Sequence, residues 1–247
     1  MLKDIQGMYF DFFGTIIDSN YTLTNIWSRI AKKLGTEINP GDERIREGML
    51  DQYKEFDKLT KEPNRLVTTF TFNDLTEEEI HTLNLIVLSA MGVEAKASKV
   101  IITEEFEYEF RNRRSFRLNP GCKETLEQVK STGIKLGILS NGSKRLKTDL
   151  EKFGILELFD IFILAADLGL NKSRIEVYEN ALKAMNIESP EKIVHVGDNP
   201  FMDIKMAQRV GMVPILLDPN NEFSPQEYDL GDVIIINELP EILQYLK

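Results

Sequence analysis

The sequence predicts an α/β fold in which a parallel sheet is covered by helices on both faces and interrupted by an inserted all-helical segment. Three observations predict it. Six short apolar runs alternate with amphipathic helical segments; about a hundred residues after the first run carry helical periodicity without a clear strand; and the residues capable of chemistry stand just beyond the carboxyl ends of the runs.

The runs are Gly7–Phe10, Ile134–Leu139, Ile161–Ala165, Ile193–Val196, Val213–Leu217 and Val233–Ile236. Each is short, apolar and rich in β-branched residues, as expected of strands buried on both faces of a parallel sheet. The helices between them have readable ends. Asn119-Pro120 reads as an N-cap followed by a first-turn proline, and Gly133 as the stop. Leu146, Leu150 and Phe153 form a stripe ended by Gly154. Ile175, Tyr178, Ala181, Leu182 and Met185 form the next. Asn199-Pro200 opens a helix with Ile204, Ala207 and Val210 inward and Gly211 at its end.

The insertion reads as four helical stripes: Trp27, Ile30, Ala31 and Leu34; Ile45, Met49, Tyr53 and Phe56; Ile80, Leu83, Val87 and Met91; and Ile102, Phe106 and Phe110. Only the run Leu66–Phe72 is ambiguous. The expected organisation is a discontinuous core domain, residues 1–17 and 116–247, with a helical domain at 18–115.

Composition excludes several functions. At 42% hydrophobic residues the chain can bury a sizeable core, and a net charge of −10 disfavours nucleic acid and anionic membranes as partners. It does not exclude phosphorylated small molecules, because a local group of amides, a lysine and a metal ion overcomes an average field. The single cysteine, Cys122, permits no intrachain disulfide and reads as a packing residue on a helix, in keeping with a reducing compartment. The N-terminus does not read as a signal peptide, and no run approaches the roughly 20 apolar residues of a membrane span. A cytoplasmic protein is expected.

Ligands of open parallel sheets bind at the carboxyl ends of the strands. The first run ends in Asp11-Phe12-Phe13-Gly14-Thr15 and the second in Ser140-Asn141-Gly142. Lys172 follows the third, and the fourth ends in Gly197-Asp198-Asn199-Pro200-Phe201-Met202-Asp203. This set suits phosphoryl transfer. A carboxylate attacks phosphorus to form an acyl phosphate. Paired carboxylates bind a hard cation through oxygen. Ser140 and the amides of Asn141 and Gly142, at a strand-to-helix turn, hold non-bridging oxygens, with Lys172 as a further point charge.

In this order the four elements resemble the four motifs of the haloacid dehalogenase-like hydrolases, and the insertion lies where members of subclass I carry a helical cap. The resemblance spans the whole chain. It implies a Rossmann-like sheet with Asp11 as nucleophile on the central strand. It further implies Mg2+ held by Asp11, the Phe13 carbonyl and Asp198 with Asp203 in support, and a phosphoryl group bound by Thr15, Ser140, Asn141, Gly142 and Lys172. Asp11, Ser140 and Lys172 would be the catalytic residues of a phosphatase acting on a small phosphorylated molecule.

Two positions depart from the family pattern. Phosphatases of the family usually carry a second aspartate, the proton donor, two residues after the nucleophile; here that residue is Phe13. The third motif has Ser173 and Arg174 after Lys172 where proline is usual. Phe13 and Ser140-Asn141-Gly142 also fit 2-haloacid dehalogenases, whose halide leaving group needs no proton. A non-catalytic module that keeps the phosphate cradle is a third reading. The Asp198/Asp203 pair favours the metal-dependent phosphatase, since two close carboxylates without a cation leave charge unpaired.

Taken singly, each residue has a plainer explanation. Asp11 and Asp198 suit caps, Asp203 a helix first turn, Ser140-Asn141-Gly142 an ordinary turn and Lys172 a solvated lysine. His195, inside a buried run, reads as a satisfied core histidine, and His81 as part of a solvated helix start. The aromatic stripes of the insertion read as its core, with Asp18, Tyr21 and Trp27 nearest in sequence to the first motif.

Overall fold

A computed structural model describes residues 2–18, 23–60, 77–94, 98–111, 116–221, 223–226 and 228–246. In chain order its elements are strands β1 (Gly7–Phe10) and β2 (Ile17–Asp18), then helices α1 (Leu23–Lys33), α2 (Glu43–Thr60), α3 (Glu77–Ala90) and α4 (Ser98–Arg111). They continue with β3 (Arg117–Leu118), α5 (Cys122–Ser131), β4 (Lys135–Ser140), α6 (Arg145–Lys152), β5 (Ile161–Leu164), α7 (Ile175–Met185) and β6 (Ile193–Gly197). A π-helical turn (Pro200–Lys205), α8 (Met206–Arg209), β7 (Val213–Leu217) and β8 (Ile234–Ile236) follow, and after them a 3-10 segment (Leu239–Gln244).

Six strands form one sheet in the order β5-β4-β1-β6-β7-β8, and every pair is parallel. The strand order reverses direction about β1, so its carboxyl end lies at the point where such sheets bind ligands. All four residues of β1 are buried. Tyr9, Leu139 and Ile193 pack against Val177, Tyr178, Ala181 and Met185 of α7 and Met206 and Ala207 of α8. Residues of the opposite parity, Met8, Phe10, Leu136 and Ile138, are equally buried, so both faces are covered. Tyr9 pairs in register with Gly137, where a Cβ would overlap the tyrosine ring; the ring instead lies flat enough for its hydroxyl to donate to the Ala181 carbonyl at 2.8 Å.

Two local expectations are corrected. Asn119-Pro120 does not start α5: the residue before the helix is Gly121 at φ 68°, and the Asn119 amide is used elsewhere, donating to the carbonyls of Gly14 at 3.2 Å and Thr15 at 2.7 Å. The segment opened by Asn199-Pro200 begins as a π-helical turn, with Asn199 Oδ1 accepting from the amides of Phe201 and Met202. The antiparallel pair β2–β3 is an addition, its strands too short to carry a period. Cys122 is buried at the start of α5, its thiol pushed up to about 12 by burial and then by Glu124.

The chain divides into two compact units, one containing the sheet and the other the four helices α1–α4. The core of the helical unit is built from Trp27, Ile30 and Ala31 of α1, Ile45 of α2, Val87 and Leu88 of α3 and Ile102 of α4. Trp27 stacks edge-on against Phe106, ring centroids 5.7 Å apart. Glu105 of α4 is buried against Arg29 and Lys33 of α1, and these two cations hold its carboxyl below the usual range although burial alone would raise it. Tyr21 and the run Leu66–Phe72 lie outside the described residues. Among the described residues no helix is long and apolar enough to cross a membrane.

Candidate active site

Asp11 extends β1 by one ladder bond, its amide donating to the Val196 carbonyl at 2.8 Å. The chain then turns sharply: the amides of Ile16 and Ile17 both donate to the Phe12 carbonyl at 3.0 Å. Gly14 sits in this turn at φ 79°, and a Cβ there would overlap the Asp198 carboxylate. No other residue meets both demands. Gly14→Ala is expected to cost about 1–2 kcal/mol through its backbone alone, and more through displacement of Asp198; urea denaturation measures it.

Three carboxylates meet at the ends of β1 and β6. Asp11, Asp198 and Asp203 each offer an oxygen within 4.8 Å of the others. Lys172 lies almost fully buried between two of them, its ammonium donating to Asp11 Oδ1 at 2.7 Å and to Asp203 Oδ1. Asp203 is the most enclosed. Its Oδ1 also meets His195 Nε2 at 3.0 Å, and its Oδ2 accepts from the Asn199 amide at 2.9 Å. Gly197, at the end of β6, has no Cβ because the Asp203 carboxyl occupies that space. Asp198 accepts a long hydrogen bond from the Thr15 hydroxyl, at 3.5 Å.

The electrostatics follow from this crowding. Burial raises Asp11 to about 6, and the Asp203 charge adds to it against the pull of Lys172. Burial, then the charges of Asp11 and Asp203, push Asp198 well above the usual carboxylate range. Asp203 goes the other way: burial would raise it, but Lys172 and His195 hold it down to about 2. Burial opposes the charge of Lys172, yet the two aspartates raise it above the ordinary lysine value. Burial keeps His195 below its ordinary value, hence neutral near pH 7.

The second and third motifs are joined through Asn141. Its Oδ1 accepts from the Lys172 amide at 2.8 Å, and its Nδ2 points at Met202 Sδ. Ser140 ends β4, buried, with its Oγ accepting from the Gly142 amide at 3.2 Å. Tyr178 of α7 donates to the Met202 carbonyl and so ties α7 to the turn that carries Asp203. Asp11, Phe13, Thr15, Asn141, Gly142, Lys172 and Asp198 thus lie in the segments following β1, β4, β5 and β6, with Ser140 at the end of β4 and Asp203 in the π-helical turn after β6. Phe13 is half-buried, its ring stacked edge-on against Phe12. The Thr15 hydroxyl faces Asp198. Two residues carry more than their sequence context indicates: His195, which reads as a core histidine, contacts Asp203, and Asn119, which reads as a cap, holds the turn after β1. Strand parity was the available signal for the first, because His195 and Gly197 share a face of β6 and Gly197 is where Asp203 comes in.

Residues 5–211 match the family described as haloacid dehalogenase-like hydrolase. The glyceraldehyde 3-phosphate phosphatase of Methanocaldococcus jannaschii is 31% identical over 152 residues, 60% of this chain and 66% of that protein. The phosphoserine phosphatase of Thermus thermophilus is 26% identical over 134 residues, 54% of this chain and 53% of the enzyme. The chain therefore spans about half to two thirds of the length of these relatives. Among solved structures, the HAD-hydrolase YfnB from Bacillus subtilis, bound to magnesium, superposes with a TM-score of 0.67 at 16% identity, covering 99% of this chain and 100% of that one. A 2-haloacid dehalogenase from Pseudomonas syringae pv. Tomato superposes with a TM-score of 0.55 at 22% identity over 98% of each chain. At these identities the superpositions speak for the fold alone. With the family match covering most of the chain and the four motifs gathered at one edge of a parallel sheet, this protein belongs to the haloacid dehalogenase-like hydrolases and is an enzyme of that family.

Proposed function

We propose that the chain is a magnesium-dependent phosphatase acting on a small phosphorylated molecule, with Asp11 as nucleophile and the helical unit, residues 18–115, as the cap that selects the substrate. The observation that carries this reading is the charge of the site. Three carboxyl groups crowd around one ammonium, so full ionisation would leave two negative charges unmatched, and without a cation the crowding instead pushes Asp11 and Asp198 towards their protonated forms. A divalent cation matches that excess, and all-oxygen donors are what magnesium takes. Asp11, Asp198 and the Phe13 carbonyl would hold it. Asp203, with both oxygens engaged by protein donors, would support the site from behind. Bound there, magnesium would neutralise charge on the phosphoryl oxygens. The phosphatase names of the relatives support the same substrate class.

In the first half-reaction an Asp11 carboxylate oxygen attacks phosphorus and the bond to the leaving oxygen breaks, giving an aspartyl phosphate. In the second, water attacks the same phosphorus and releases inorganic phosphate, restoring Asp11. Lys172 holds a non-bridging oxygen and keeps Asp11 oriented, while Ser140 and the amides of Asn141 and Gly142 bind the remaining oxygens. Phe13 supplies no proton to the leaving group. Esters with acidic leaving groups should therefore be preferred: general acid help is worth roughly 10²–10⁴-fold. The expected result is a kcat/KM for p-nitrophenyl phosphate at least about a hundredfold above that for simple alkyl phosphates. Activity that needs added magnesium and disappears with chelator supports the proposal; chelator-resistant turnover contradicts it.

Phe13 favours a second reading, metal-independent hydrolysis of a 2-haloacid, in which halide leaves without a proton. Halide release from 2-chloropropionate in the presence of chelator tests it. Asp198 speaks against it, since a metal-independent site has no use for a third carboxyl group within 4.8 Å of Asp11 and Asp203.

A further inference from the structure

The geometry points to His195 as a positioning residue that fixes Asp203, and through it the Lys172 ammonium, for phosphoryl binding; this rests on the phosphatase reading above. His195 occupies the middle of β6, fully buried, between Val194 and Val196 and paired in register with Tyr9 and Pro214. A central strand of a parallel sheet ordinarily places an apolar residue at such a position. A histidine there costs desolvation, and among the described residues its buried Nδ1 has no partner. That cost is borne for a contact on the other side of the ring.

Nε2 lies 3.0 Å from Asp203 Oδ1 and 3.5 Å from the Tyr178 hydroxyl. The Asp203 carboxylate already receives Lys172 on Oδ1 and the Asn199 amide on Oδ2, so it acts as an acceptor, and Nε2 must carry the ring hydrogen. The Tyr178 hydroxyl gives its own hydrogen to the Met202 carbonyl, so its oxygen presents a lone pair to the same Nε2–H. The ring is thereby locked in one tautomer, with the unpartnered atom being an acceptor lone pair rather than a donor. Two donors, one from β6 and one from the loop before α7, thus converge on a single Asp203 oxygen. Lys172 has four methylenes and one ammonium to place. Asp203 is the rigid end of its tether, and His195 sets the direction in which Asp203 points. With the imidazole removed, Oδ1 follows Lys172 alone, and the ammonium is free to settle away from the phosphoryl site.

The test compares four proteins. His195→Phe keeps the ring volume and removes the donor; His195→Gln keeps an amide donor at the reach of Nε2; His195→Asn places its amide nearer the backbone, short of Asp203. Turnover of p-nitrophenyl phosphate, binding of orthovanadate and inorganic phosphate by calorimetry, and thermal unfolding are measured for each and for wild type. The expected result is a 10–100-fold loss of kcat/KM in His195→Phe and His195→Asn, with a raised KM and weaker orthovanadate binding. His195→Gln should recover most of it, while His195→Phe, assayed well below its unfolding temperature, should remain impaired although folded, because the donor to Asp203 is gone. A purely structural histidine would make activity follow stability across the series. Wild-type kinetics in His195→Phe, or equal behaviour of the Gln and Asn variants, overturns the inference. A wild type that neither hydrolyses phosphate esters nor binds orthovanadate instead overturns the phosphatase reading, so the two failures are distinct.

Discussion

Asp11→Asn is expected to abolish turnover and, in the absence of magnesium, to make the fold more stable. The first effect is the loss of the proposed nucleophile, a drop on the order of 10⁴–10⁶-fold for a residue in that role. The second follows from the crowding of Asp11, Asp198 and Asp203. Asp11 is raised to about 6, against about 4 in an unfolded chain. The folded state therefore holds the Asp11 proton more tightly than the unfolded state does, and stability is lost as pH rises from about 4 through about 6. At neutral pH the loss is about 3 kcal/mol. Asparagine does not titrate, and its carbonyl still accepts from Lys172, so the variant escapes this loss. Urea denaturation of both proteins from pH 4 to 8 checks it: the difference should open between pH 4 and 6 and then stay constant. Magnesium should narrow the gap by stabilising the wild type, through preferential binding to the folded state. A variant that is inactive but less stable at pH 7 would contradict this account of the site.

Lys172→Met should have the opposite effect on stability while also abolishing activity. The side chain is buried and its ammonium faces two carboxylates. Removing it leaves Asp203 and Asp11 enclosed without their cation, and breaking a buried pair from one side costs about 3–5 kcal/mol. The comparison with Asp11→Asn is informative because both substitutions delete the same 2.7 Å ion pair. If the pair were simply a stabilising salt bridge, both would destabilise. Opposite signs in urea denaturation are expected because the site carries an excess of negative charge, so losing a carboxylate relieves it and losing the ammonium deepens it. Phosphate binding, measured by calorimetry, should fall in Lys172→Met with and without magnesium.

Much of this was legible along the chain. The run Ile134–Leu139 and the strand Lys135–Ser140 differ by one residue, and Gly7–Phe10 and Val213–Leu217 coincide. Strands buried on both faces read as unbroken apolar runs, so little else competes with the assignment. The helix starts were less legible. Asn119-Pro120 has the composition of a cap, yet Gly121 in the left-handed region takes that place, because the Asn119 amide is drawn to the carbonyls of Gly14 and Thr15 some hundred residues away. Asn199-Pro200 did mark a helical start, but its π-helical geometry depends on bringing Asp203 back over Gly197. Lys172, most often a solvated residue when met alone, is among the most buried side chains here.

What could be read from residue order was the sheet, the helical insertion and the arrival of Asp11, Ser140, Lys172 and Asp198 at the ends of successive strands. All of these depend on local apolar period and on where it stops. Only the folded chain settled how the charges divide among them. Lys172 reaches Asp11 across 161 positions and Asp203 across 31, His195 meets Asp203 through the shared face of β6, and Asn141 holds the Lys172 backbone. Such pairings leave no period in the sequence, because they are set by strand order, parity and side-chain reach. They also decide that Asp203 is the carboxylate matched by protein donors, while Asp11 and Asp198 are left crowded against it.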